Sequence, residues 1–111
     1  STYCIATDPN NSWDYQASWG TKDDIAEMEA SLSQMKKFSD AGYGVVIGEY
    51  GVGTIKKGNR YVAKEGTDKF FKNMLEICDK YGFCPMLWDT GDWYNRMECK
   101  FKDKKIAAIY K

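Results

Sequence analysis

Histidine is absent from this sequence. Its absence removes the Ser–His and Cys–His pairs of nucleophilic enzymes and the familiar Cys/His zinc patterns. Cysteine is sparse: Cys4, Cys78, Cys84 and Cys99 show no CxxC spacing and are too few to build a disulfide miniprotein. They read as small buried apolar residues or as one or two disulfides, with Cys84 and Cys99 the first pairing to examine. Neither sign of charge dominates, because sixteen basic and sixteen acidic residues cancel and are dispersed. No footprint for nucleic acid or an anionic membrane follows, and neither partner is expected. No apolar run approaches membrane-spanning length, and no signal-peptide pattern is present. The chain opens on Ser1 rather than Met, which suggests a processed or excised piece. No motif asks for a metal or a cofactor.

Aromatic residues, by contrast, are plentiful: four Trp and eight Tyr in 111 residues. They gather as Trp13/Tyr15/Trp19 and as Trp88/Trp93/Tyr94, and such rings either fill cores or stack on sugar faces. The β-branched run Val45-Val46-Ile47 has the pattern of a strand buried on both faces, as in a parallel sheet. Gly48, Glu49, Tyr50 and Gly51 follow it. Glu49 therefore stands at the C-terminal end of a strand, the rim where α/β enzymes carry their chemistry. The plainer reading is a strand running out into water.

The local signals order the rest. Ser1–Thr7 reads as a strand and Asp8–Ser12 as a turn, leading into an aromatic loop with Trp13, Tyr15 and Trp19. Thr21 opens a helix with Asp24 in a capping-box position. Ile25, Met28, Leu32, Met35 and Phe38 give that helix one apolar stripe, and Gly42 closes it. A strand spans Gly44–Tyr50, and Gly51–Arg60 is a polar, glycine-bearing loop. It is not a phosphate-binding loop, because Thr54 stands where Lys is required. A second helix runs from Thr67 to Tyr81 with Phe70, Phe71, Met74, Leu75, Cys78 and Tyr81 inside. Phe83–Trp88 is a second apolar strand with Pro85 near its start, where proline is tolerated. Asp89–Asp92 is a turn, and Asp103 begins a last short helix through Ile109. The whole is one α/β domain, residues 1–111: a strand end and aromatic loop to residue 20, then helix-strand-helix-strand-helix.

Val46-Ile47-Gly48-Glu49-Tyr50-Gly51, a helix, Gly82-Phe83-Cys84-Pro85-Met86-Leu87-Trp88-Asp89 and Tyr94-Asn95-Arg96 together resemble the C-terminal part of glycoside hydrolase family five. These are (β/α)8-barrel cellulases, and the likeness is strongest to rumen-type endo-β-1,4-glucanases. Trp19-Gly20 before the first helix fits the same pattern. The resemblance spans roughly Trp19 to Arg96. It implies an incomplete (β/α)8 barrel, about the last two to three βα units, in which Glu49 is the nucleophile and Trp88 a platform under the sugar. Asp89 and Trp93 join Trp88 as substrate-binding candidates, although Asp89 suits a turn equally well. A full barrel needs roughly 250 residues. The family's acid/base Glu sits in an Asn-Glu-Pro motif that this sequence lacks, as it lacks the family's sixth-strand His.

The resemblance therefore implies a retaining β-1,4-glucan hydrolase, extracellular, active only together with its missing strands. A complementary N-terminal half-barrel chain or self-association would cover the open sheet. Two other readings stand beside it. One is a non-catalytic sugar-binding module with Trp13, Trp19, Trp88 and Trp93 on a flat surface. The other is a small α/β scaffold without ligand, its aromatic residues all core.

Overall fold

The computed structural model describes residues 2–10 and 14–110. In order they form α1 (Thr2–Ile5), α2 (Lys22–Ser33), α3 (Lys36–Asp40), β1 (Val46–Tyr50), β2 (Ile55–Lys57) and β3 (Arg60–Val62). Then come α4 (Thr67–Tyr81), β4 (Cys84–Leu87), β5 (Tyr94–Asn95), β6 (Lys100–Phe101) and α5 (Lys104–Ile109). β1 and β4 pair in parallel and are joined through α4, a βαβ unit. β2 with β3 and β5 with β6 form small antiparallel hairpins. The result is a partial α/β fold, with α4 packed on β4 of the parallel pair and α2 and α5 packed on α4.

α2 begins as its sequence requires. The Asp24 N–H donates to Thr21 Oγ1 at 3.1 Å, and the Thr21 N–H donates to Asp24 Oδ2 at 3.0 Å. Burial pushes the Asp24 carboxyl up, but amide donors from Gly20 and Thr21 outweigh it and hold the group below its usual range. The expected apolar stripe holds only over the first turns, with Met28 buried and Ile25 and Leu32 half-buried. The helix breaks at Gln34 and Met35, the latter at φ −85° and ψ −7°, and α3 starts afresh at Lys36. Met35 and Phe38 are consequently exposed rather than inside.

α4 is the central helix. Its first turn follows Gly66 at φ 88°, where an added Cβ would lie 2.0 Å from the Trp19 carbonyl oxygen. It closes on Gly82 at φ 72°, with the Phe83 N–H reaching back to Cys78 O at 2.8 Å. Phe70, Phe71, Met74, Ile77 and Cys78 are all buried. Phe71 is the hub, meeting Trp93 edge-on at 5.6 Å, Tyr50 at 6.0 Å and Tyr110 at 6.2 Å between centroids. The Tyr50 and Tyr110 hydroxyls share a hydrogen bond of 2.5 Å that ties α5 to the end of β1.

Residues 2–7 are not the expected strand. Thr2–Ile5 is a helical turn because its carbonyls find non-sheet partners. Lys64 Nζ donates to Tyr3 O at 2.7 Å and to Ala6 O at 3.0 Å, while Gly53 N–H donates to Cys4 O at 2.9 Å. Tyr3 is fully buried, its hydroxyl donating to Glu65 O and pairing with Thr67 Oγ1. Lys64, only 2% exposed, also lies 4.4 Å from the Tyr3 ring centre and 4.8 Å from that of Tyr15. Two further readings are corrected. Val46 is exposed, because among the described residues no second layer covers its face of the sheet. All four cysteines are free thiols, with Cys84 on β4 and Cys99 in the turn before β6, both exposed.

Truncating Phe71 to Ala should lower the unfolding free energy by about 3–5 kcal/mol, read from a urea titration. Alkali should unfold the domain in a defined window. Burial pushes the Tyr3 phenol from 10.0 up to about 12, with the Thr67 hydrogen bond pulling the other way. The unfolded chain releases this proton first, so the stability is complete below pH 10 and is lost as pH rises toward about 12. Burial lowers the Lys64 value in the folded chain, so its discharge adds stability as pH rises toward the amine's ordinary 10.5 and adds nothing above it, where the Tyr3 loss continues. Circular dichroism against pH, with tyrosinate absorbance recorded in parallel, checks this, and Tyr3→Phe should delay the transition.

Candidate active site

The site is built where β1 and β4 end side by side. Val46 pairs with Cys84, Ile47 with Pro85 and Tyr50 with Leu87, so β1 carries one residue more than β4 between Ile47 and Tyr50. That extra residue sets the direction of Glu49. Strict alternation would place Glu49 with Val45 and Ile47 on the helix-facing side. With the added residue, Gly48 and Glu49 are both exposed and Tyr50 returns to the core. Trp88 N–H then donates to Tyr50 O at 2.8 Å, which continues the pairing beyond β4 and sets an exposed indole beside the carboxylate's strand. The approach is close: a Cβ on Gly51 would lie 2.9 Å from the Trp88 carbonyl oxygen.

The loop after Trp88 holds this rim in place. Asp89 Oδ1 accepts from Gly91 N–H at 3.1 Å and Trp93 N–H at 2.9 Å, and Oδ2 accepts from Tyr94 N–H at 3.3 Å. The Asp89 carboxylate is therefore turned onto its own loop and does not line the cleft. Trp93 is buried, its Nε1–H donating to Val52 O at 3.0 Å, so it fastens this loop to the segment just past Glu49. Its indole still contributes to the cleft wall.

Glu49, Trp88 and Trp93 share one open cleft of about 610 Å³. Trp19, Met28 and Leu32 add apolar surface to its lining, alongside Asp24 and Glu27. Thr90, Asp92 and Gln16 add polar groups that no sequence pattern singled out. A flat plane of four tryptophans is not formed: Trp19 and Trp93 are buried, and Trp13 lies outside the described residues. An exposed carboxylate beside an exposed indole can instead address a sugar ring lying on the indole.

The Endoglucanase B of Paenibacillus lautus is 30% identical over 74 residues, covering 67% of this chain and 13% of its own length. A broad specificity GH5-4 endoglucanase from an uncultured bovine rumen ciliate superposes with a TM-score of 0.80 at 27% identity. The match covers 98% of this chain and 35% of that one. This chain is related to the family GH5 endoglucanases. A tri-modular GH5 (subfamily 4) endo-β-1,4-glucanase from Bacillus licheniformis, complexed with cellotetraose, gives a TM-score of 0.67 at 28% identity. There the coverage is 84% of this chain and 17% of the other. No family model matches the chain. The GH5 structures are (β/α)8 barrels, and the chain spans well under half of each.

Because Gly51 meets backbone rather than a flexible side chain, Gly51→Ala must push the two strand ends apart. A loss of about 1–3 kcal/mol is expected, measured by urea unfolding, together with a blue- or red-shift of tryptophan emission as Trp88 moves.

Proposed function

We propose that this chain forms the last two to three βα units of the catalytic barrel of a retaining endo-β-1,4-glucanase, with β1 and β4 as its seventh and eighth strands. The observation that carries the reading is the shared rim: Glu49 re-aimed out of the helix-facing layer, next to Trp88, in one cleft. Relationship to GH5 endoglucanases at 27–30% identity supports the same assignment.

In this reading a glucan ring rests on Trp88 while Glu49 attacks the anomeric carbon. A glycosyl ester forms as the leaving oxygen takes a proton from a second carboxyl group about 5–5.5 Å away. That group then removes a proton from water, which releases the sugar with retained configuration. The second carboxyl is assigned to another strand, since no Asn-Glu-Pro occurs in this sequence. Trp93 acts at the cleft wall and behind it, and Asp89 shapes the loop that presents Trp88. The unpaired edge of β1 and the exposed Val46 and Met86 support completion by a complementary N-terminal half-barrel, or by self-association. A polymeric substrate favours an extracellular location.

The purified polypeptide alone should release no reducing sugar from carboxymethylcellulose. Completed with the remaining strands, the enzyme should lose roughly a thousandfold or more of kcat in Glu49→Gln. Trp88→Ala should instead raise KM for cello-oligosaccharides by roughly tenfold. Full activity of the isolated chain, or an unimpaired Glu49→Gln enzyme, overturns the assignment.

A further inference from the structure

One polar side chain of the cleft has its orientation dictated by its neighbours: Gln16, in the loop before α2. Its Nε2 donates to Ser18 O at 2.8 Å and to Asp24 Oδ1 at 3.1 Å. Both neighbours can only accept, so the nitrogen of the amide faces them and both of its hydrogens are taken. The reverse arrangement would set Gln16 Oε1 against a carbonyl oxygen and a carboxylate. Asp24 is itself fixed from the other side, where Oδ2 accepts from Gly20 N–H at 2.9 Å and Thr21 N–H at 3.0 Å. The loop beyond Gln16 is pinned to the start of α4. There Trp19 N–H donates to Glu65 O at 3.2 Å, and the buried Trp19 ring meets Phe70 edge-on at 5.1 Å. Gln16 Oε1 has no partner among the described residues and is not buried, so it stands open as an acceptor.

The rest of the cleft lining narrows what that oxygen can meet. Asp24, Glu27, Glu49 and Asp92 line the cleft, and no lysine or arginine does. Anionic ligands are disfavoured there, and a neutral amide oxygen needs a donor from the ligand. A sugar hydroxyl is a donor that brings no charge. A side chain already held at its other end also loses little freedom when a ligand arrives. We propose that Gln16 is a substrate-binding residue, its Oε1 accepting a hydroxyl hydrogen from a neutral β-glucan chain that also rests on Trp88. The inference rests on the glucan reading of the cleft, but its test separates the two.

Tryptophan emission of the whole chain, titrated with cellotriose and with its singly deoxygenated analogues, provides that test. Gln16→Met, similar in length but without the amide, should bind cellotriose roughly three- to tenfold more weakly. Near-ultraviolet circular dichroism and the urea midpoint confirm that it is folded. A loosened loop would also weaken binding, so the deciding readout is a cycle between protein and sugar. One analogue should bind the wild type roughly three- to tenfold less tightly than cellotriose does, yet match cellotriose on Gln16→Met. Loss of loop structure is not cancelled by removing a single hydroxyl. Should Gln16→Met fail to fold, Gln16→Lys, which keeps donors for Ser18 O and Asp24, takes its place in the same cycle. If the variant binds cellotriose as the wild type does, or every analogue loses the same factor on both proteins, the assignment of Gln16 fails and the glucan reading stands. If the wild type does not bind cellotriose, both fail.

Discussion

The cleft depends on a single irregularity in a parallel strand pair. β1 spends two residues, Gly48 and Glu49, where β4 spends one. A strand without the extra residue would turn Glu49 toward the layer that Val45 and Ile47 contact, where an unpaired carboxylate carries a heavy desolvation cost. The added residue restores Tyr50 to the core and leaves the carboxylate facing solvent. Gly48 is the neighbour that makes this tolerable, since it presents no side chain beside the carboxylate. Local distortion of the ladder and global burial of the flanking residues are thus two sides of one constraint.

That constraint is maintained from behind. Phe71 packs against Tyr50 and Trp93, and Trp93 in turn donates to Val52 O. One helix residue therefore backs both strand ends, on either side of Glu49 and beyond Trp88. Asp89 works by the same logic, with two oxygens taking three backbone N–H groups so that the loop after Trp88 adopts one course. A residue adjacent in sequence to the exposed indole has become part of its support. The Tyr50–Tyr110 hydrogen bond extends the support to α5, linking the far end of the chain to the residue after the carboxylate.

Much of this was legible in advance, for identifiable reasons. The Thr21–Asp24 capping box, the Gly82 close of α4 and the Asp103 cap of α5 are local devices whose partners lie within a few residues. Glu49 and Trp88 were also found at strand ends, because glycines and turn residues mark where each strand stops. What sequence did not convey was set by distant partners. The turn at residues 2–5 is held by Lys64, which caps the carbonyls of Tyr3 and Ala6 from some sixty positions away. The α2 stripe was overextended because periodicity continued through Met35 while the backbone did not. The bulge left no trace in the pattern, since Gly48-Glu49 reads as an ordinary strand end. The β2–β3 hairpin did carry a signal, Gly58-Asn59 between Ile55 and Val62, but lysines flanking the turn masked the alternation.

The two faces of the β1–β4 sheet are unequally covered. On the helix-facing side Val45, Tyr50 and Phe83 are buried, and the layer closes using residues of this chain alone. On the other side Val46, Met86 and Trp88 are each more than half exposed, and β1 pairs on one edge only. The buried layer and the exposed apolar residues thus lie on opposite faces of the same two strands. The closed face suffices to fix the backbone of the rim, including the re-aimed carboxylate. In the function proposed above, the open face is where further strands would add a second carboxyl and exclude water, and neither task requires the closed face to rearrange. Under that proposal the rim is shaped before the barrel is complete, which is the condition under which a partner has only to dock rather than to fold it.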